Sequence, residues 1–437
     1  MKMTQAKLLA IACCITLLIE CDMAIAQKAE NSFLYGDALP DAPELAQRGD
    51  YKVGVQTLTF INKDQVDVLN SVDGVDPVYD RSLKVEIWYP AMLEAGQKEI
   101  VKYDEVMGQF NNPERPIIPF TFLGRASRDA APLQNNDPFP LVIVSHGYTG
   151  SRLLFTYLTE NLASKGYVVV SIDHMESTFL DAKGFPSTLL NRAKDDLFIL
   201  NQIEELGKSG SGSFLSEIVD SNNTALVGYS MGGYGALNAA GAGYSQAAAT
   251  LFTNFSGGSK SLDVRTTNHP DFIASYDDRI KAVVAFAPWG MERGVWDAEG
   301  LKGLKVPTFF VAGSQDDVSG YEKGIKAIYD GAINSDRYLL TYQNARHNVA
   351  PNPPPAESLQ PGLHFDEYYR YADPAWSEER MNNINQHFVT AFLGIHLKKE
   401  DLEKYLDINE NSNDEDWTGF KPRSSTGLEL LHASPEE

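Results

Sequence analysis

Cysteine is nearly absent. The 437-residue chain has three, Cys13, Cys14 and Cys21, and none follows. That excludes disulfide stapling, a thiol nucleophile and a thiolate metal site everywhere beyond the first segment. Positive charge is also scarce: Lys plus Arg total 37 against 59 Asp plus Glu, a net charge of −22. A surface of that sign repels phosphate backbones and anionic headgroups, so no nucleic-acid partner and no simple electrostatic membrane docking are expected. Long apolar runs are missing past the N-terminus, so no integral membrane segment is expected there. With 43% hydrophobic and 22% charged residues, the chain has an ordinary globular balance rather than a disordered one.

The N-terminus reads as a secretory signal. Lys2 and Lys7 precede an apolar run, Leu8 to Ile19, that is too short for a comfortable span. Ala24-Ile25-Ala26 then offers small residues where a signal peptidase reads, which puts cleavage before Gln27 and the protein outside the cell or in a periplasm. An N-terminal anchor is the alternative, disfavoured by the short run. A lipoprotein through Cys21 is disfavoured by Glu20 before it.

Val53–Ile61 and Leu83–Tyr89 carry β-branched and aromatic residues and are expected as strands. Pro113 to Pro140 is rich in Pro, Asn and Asp and reads as a long surface excursion. A regular alternation follows. Pro140–Val144, Tyr167–Ile172, Thr224–Gly228, Ile280–Ala287, Val306–Ala312 and Arg337–Tyr342 are short apolar runs of the kind buried on both faces of a sheet. Between them lie helical patterns, with Leu154, Leu158 and Leu162 in one and Leu197, Leu200, Ile203 and Leu206 in another. The alternation predicts an α/β fold: a mainly parallel central sheet with helices on both faces and right-handed crossovers. Residues 27–399 are expected as one domain, with 241–279 as a possible cap. Asn348–Pro361 is too Pro-rich for regular structure, and Trp376–Leu393 is a terminal helix. Residues 400–437 are expected as a solvated acidic tail. Asp407, Asn409 and Asn411 resemble the start of a calcium loop, but Ser412 and Thr418 stand where Gly and Glu are required.

Gly228-Tyr229-Ser230-Met231-Gly232 carries the chemistry. A G-x-S-x-G between a buried strand and a small-residue helix forms a nucleophile elbow, which thrusts the serine hydroxyl above the strand ends. A serine hydroxyl is a weak nucleophile and needs a base, itself oriented by an acid. On this fold the order is Ser, acid, His, each near a strand C-terminus. Asp316 follows the Val306–Gly313 strand and is the expected acid. Asp317 is the fallback, and Asp297 is more distant. His347 follows the next strand and is the expected base, ahead of His364 deeper in the loop. The amide of Met231 supplies one oxyanion donor. The other is expected from Ser145-His146-Gly147-Tyr148-Thr149-Gly150, at the amide of Tyr148. His146 reads as a buttress of that loop. His174 ends the next strand and either shapes the site or is a packed polar residue. No metal and no cofactor are required.

On these residues the chain resembles the α/β-hydrolase superfamily, and within it secreted platelet-activating-factor acetylhydrolases and their dienelactone-hydrolase-like relatives. The likeness runs from about Val85 to Leu393, through Trp88-Tyr-Pro-Ala91, Val144-Ser-His-Gly147, Leu162-Ala-Ser-Lys-Gly-Tyr167, Ile172-Asp-His174 and Gly228-Tyr-Ser-Met-Gly-Gly233. It implies an exported serine esterase with Ser230, Asp316 and His347 as triad and Tyr148 and Met231 at the oxyanion hole. The chain is also similar to bacterial cutinases and polyester hydrolases, through Gly147–Thr149, Ser230-Met-Gly and Ala287-Pro-Trp289. That likeness implies that Tyr148 and Trp289 flank the substrate. A core aromatic is the alternative for Trp289. The insert 241–279 and the Pro-rich loop are departures that should narrow an open groove, which favours a small or lipid-like ester as substrate over a polymer.

Overall fold

The computed structural model describes residues 33–407 and 417–436. The segment read as a signal, all three cysteines, and Asn409, Asn411 and Ser412 lie outside them.

Two long N-terminal strands, β1 (Lys52–Val66) and β2 (Val78–Met92), pair antiparallel as a hairpin. Next come β3 (Val101–Met107) and β4 (Ile118–Gly124), a separate two-stranded sheet, and the short β5 (Ser127–Arg128) and β6 (Ala131–Pro132). Here the structure corrects the expected excursion. Part of Pro113–Pro140 is strand, because β4 pairs antiparallel with β3 and the pair buries Tyr103 and Phe120, while Pro116 sits in the turn between them.

The parallel core runs β7 (Phe139–Ser145), β8 (Val168–Asp173), β9 (Val219–Tyr229), β10 (Ile280–Phe286), β11 (Thr308–Gly313) and β12 (Arg337–Tyr342). All seven residues of β7 are buried, as the unbroken apolar run requires of a strand covered on both faces. Each buried Leu, Ile or Val there contributes about 1.5–3 kcal/mol relative to exposure. The order across the sheet is β13-β12-β11-β10-β9-β7-β8-β2-β1-β5, where β13 is Leu428–Ala433. The last strand pairs antiparallel with β12 and buries Leu428 and Leu430. The expected solvated tail is therefore partly the edge of the sheet.

Helices α1 (Thr156–Ser164), α2 (Phe185–Gly207), α3 (Met231–Ala239) and, later in the chain, α6 (Glu378–Leu393) pack on the strands, while α4 (Gln246–Phe255) lies in the insert and α5 (Phe365–Tyr369) in the loop after β12. The chain goes from β7 outward to β8, then back past β7 to β9. That reversal opens a crevice beyond the strand C-termini, where ligands of open α/β sheets bind. The insert 241–279 contains α4. Its hydrogen bonds run to the β1–β2 turn (Gly74 N to Gly257 O, 3.0 Å) and to Val295 (Ser245 N to its O, 2.8 Å). Among the described residues no helix is long and apolar enough to cross a membrane.

Candidate active site

Ser230 sits between β9 and α3 with φ 53° and ψ −112°, a left-handed conformation that a β-carbon disfavours. The flanking glycines allow it. A Cβ on Gly228 would lie 2.3 Å from Gly232 O, and one on Gly232 would lie 1.9 Å from Ser145 O. The end of β10 pins the turn: Ser230 N donates to Phe286 O (2.9 Å), and Trp289 N donates to Ser230 O (3.2 Å).

His347 Nε2 is 3.0 Å from Ser230 Oγ, and its Nδ1 is 2.8 Å from Asp316 Oδ2. A carboxylate only accepts, so Nδ1 carries the proton and Nε2 is left to accept from the serine hydroxyl. Asp316 Oδ1 accepts from the amides of Val318 (2.9 Å) and Ser319 (2.8 Å), which lock its orientation. Burial pushes the Asp316 carboxyl up, but the His347 charge and hydrogen bond and these two amides outweigh it and hold the group below its ordinary value. The fallback acid points elsewhere: Asp317 pairs with Arg346 at the surface. Asp297 caps a short helix at Gly300 N (2.9 Å), and His364 caps α5 at Asp366 N (3.2 Å).

Tyr148 follows β7 and Met231 opens α3. Among the described residues, the backbone N–H of neither donates to a protein acceptor. Gly147 brings the first loop against the nucleophile, since a Cβ there would stand 3.3 Å from Ser230 Cβ.

Aromatic rings flank this centre. Phe185 meets Tyr148 edge-on at 5.6 Å and Trp289 at 5.2 Å, and Tyr148 OH donates to Lys183 O (2.7 Å). Trp289 is half-buried beside Ser230, and Tyr148 is exposed. The sequence reading missed Phe185 because the apolar period of α2 becomes regular only near Leu197. Gly184 followed by Phe185-Pro186 is the signal for an earlier start, since proline favours the first helical turn.

His174 does not line the crevice. It is fully buried, with Nδ1 2.9 Å from Asp195 Oδ2 and Nε2 2.7 Å from Ser145 Oγ. The packed polar reading is the correct one, because α2 covers the strand end where His174 emerges. His146 is also fully buried and accepts from His174 N (3.2 Å).

Two family models match parts of the chain: "PET hydrolase-like" over residues 129–268 and "Platelet-activating factor acetylhydrolase, isoform II" over residues 45–186. A solved ferulic acid esterase from Streptomyces cinnamoneus superposes with a TM-score of 0.52 at 20% identity, over 82% of this chain and 94% of its own. The fold is that of an α/β-hydrolase. Among related sequences, cutinase est1 of Thermobifida alba is 24% identical over 50% of this chain and 56% of its own length. Cutinase cut1 of Thermobifida fusca is 25% identical over 51% of this chain and 53% of its own. The chain thus spans little more than half the length of those relatives.

Proposed function

We propose that this protein is an exported serine carboxylic-ester hydrolase. The observation that carries the reading is the hydrogen-bonded line Ser230–His347–Asp316, at 3.0 and 2.8 Å, beside two unengaged amides. Ser230 Oγ attacks the ester carbonyl while His347 Nε2 takes its proton. Asp316 holds the ring and stabilises the imidazolium. The amides of Tyr148 and Met231 receive the oxyanion of the tetrahedral intermediate. His347 then protonates the leaving alcohol, and the acyl-enzyme forms. Water attacks that intermediate with His347 again as base, releasing the acid and restoring the serine. Tyr148, Phe185 and Trp289 would hold the acyl or alcohol portion. The signal-like segment Lys2 to Ala26 supports export.

Short-chain or lipid-like esters are the proposed substrates, on the acetylhydrolase match and the loops around the crevice. A cutinase-like polyester hydrolase is the second reading, favoured by the PET hydrolase-like match across Ser230 and by the cutinase relatives. The test is hydrolysis of p-nitrophenyl esters from acetate to palmitate, with Ser230→Ala alongside. The variant should lose roughly 10⁵-fold in rate. A peak at short acyl chains supports the first reading and a long-chain peak the second. A folded wild type as inert as the variant would sink both.

A further inference from the structure

The Gly147–Tyr148 peptide is trans, so its C=O and N–H point in opposite directions along one rigid plane. Whatever grips the carbonyl aims the amide. Two side chains grip it from inside the fold. His146 Nδ1 lies 2.6 Å from Gly147 O, and Arg192 Nη2 donates to the same oxygen at 3.2 Å and also to Ser177 Oγ.

The histidine's proton is assigned by its surroundings. His146 Nε2 faces the backbone N–H of His174, which can only donate, so Nε2 accepts and Nδ1 carries the hydrogen. Burial, then the charge of Arg192, hold His146 far below its ordinary value and neutral. The arginine side chain is enclosed too. Arg192 is fully buried on α2, and α3 approaches so closely that a Cβ on Gly235 would stand 2.6 Å from Arg192 Cβ. Behind the loop the network continues through His174 to Asp195, which is paired with Arg81 at 2.8 Å on each oxygen.

We infer that Arg192 is a positioning residue for catalysis: with His146 it clamps the Gly147 carbonyl so that the Tyr148 N–H stays turned toward the oxyanion position beside Ser230. A glycine at 147 leaves this peptide plane free to rotate, so the orientation must come from such partners. A charged donor on the carbonyl also polarises the peptide and strengthens the N–H at its other end. This inference rests on the esterase reading and on Tyr148 as oxyanion donor.

The test compares Arg192→Met with wild type on p-nitrophenyl acetate and on the matching thionoester, whose developing sulfur anion is a weaker hydrogen-bond acceptor. The expected result is a fall in kcat of about 10- to 100-fold on the ester, a much smaller fall on the thionoester, and KM within about threefold. Equal losses on both substrates, or no loss, would overturn the inference, because a general loosening of the fold does not discriminate oxygen from sulfur. If Arg192→Met fails to fold, Arg192→Lys, which keeps charge and length but lacks the fork, undergoes the same comparison. It should show the same oxygen-selective loss at smaller amplitude, and an equal loss on both substrates would again overturn the inference. Ser230→Ala run in parallel separates the two ideas. If that variant keeps its activity, the esterase reading fails. If it is inert while Arg192→Met behaves as wild type, only the positioning role fails.

Discussion

Asp316 and Asp317 are adjacent and chemically identical, yet they face opposite surroundings. One accepts from His347 and two backbone amides, and the other meets Arg346 at the surface. Asp316→Asn should therefore lower kcat by about 10⁴-fold, since an amide can stabilise neither the required tautomer nor the imidazolium. Asp317→Asn should stay within about twofold in the same ester assay. Glu105 offers a second contrast. Burial lifts its carboxyl to about 7, against the opposing pull of the hydrogen bond from Ser151. A carboxyl raised in the fold is protonated there while the unfolded chain ionises, so this residue costs stability as pH rises from its ordinary value to about 7. Glu105→Gln keeps the shape and removes that cost. Denaturant unfolding should find the variant more stable than wild type at pH 8, by up to about 3 kcal/mol, and near wild type at pH 4.

Helix α1 has no local side-chain cap. Asn352, from the loop after His347, supplies it across nearly two hundred residues. Its Oδ1 accepts from Tyr157 N (3.2 Å), and its Nδ2 donates to Leu153 O and Thr156 Oγ1, both at 2.8 Å. Asn352→Ala leaves Tyr157 N without its acceptor and takes one partner each from Leu153 O and Thr156 Oγ1, which still bond to each other, and should cost about 2 kcal/mol in unfolding free energy. The regular elements were the legible ones. Strands β7 to β12 announce themselves as short apolar runs because both faces are covered, and α3 follows a glycine-bounded turn. Strands β3, β4 and β13 did not. Their segments are short, interrupted by proline or acidic residues, and acquire strand form only by pairing or packing that no local pattern records.

The loop that carries His347 is tied to the distant β3–β4 hairpin. Arg115 Nε reaches Glu367 Oε1 at 2.7 Å, and Gly108 N donates to Glu367 Oε2 at 2.8 Å, with both charged side chains buried. Arg115 also pairs with Asp366 at 2.9 Å, so Glu367→Gln weakens its partnership without stranding it and should lower stability by about 2 kcal/mol, read as a fall in Tm. The order of Ser230, Asp316 and His347 was legible because each follows a strand whose C-terminus faces the same crevice. His174 and Phe185 were not, since each was settled by where α2 lies. The sequence by itself determined the strand–helix alternation, the elbow at Ser230 and the chemical types of its partners, because periodicity and turn glycines are local properties. Only the tertiary structure decided which of two adjacent aspartates orients His347, that His174 is buried, that Phe185 joins the aromatic wall, and that residues 428–433 form an edge strand of the sheet. Those outcomes depend on which side chains meet across long stretches of chain, and that is a property of packing.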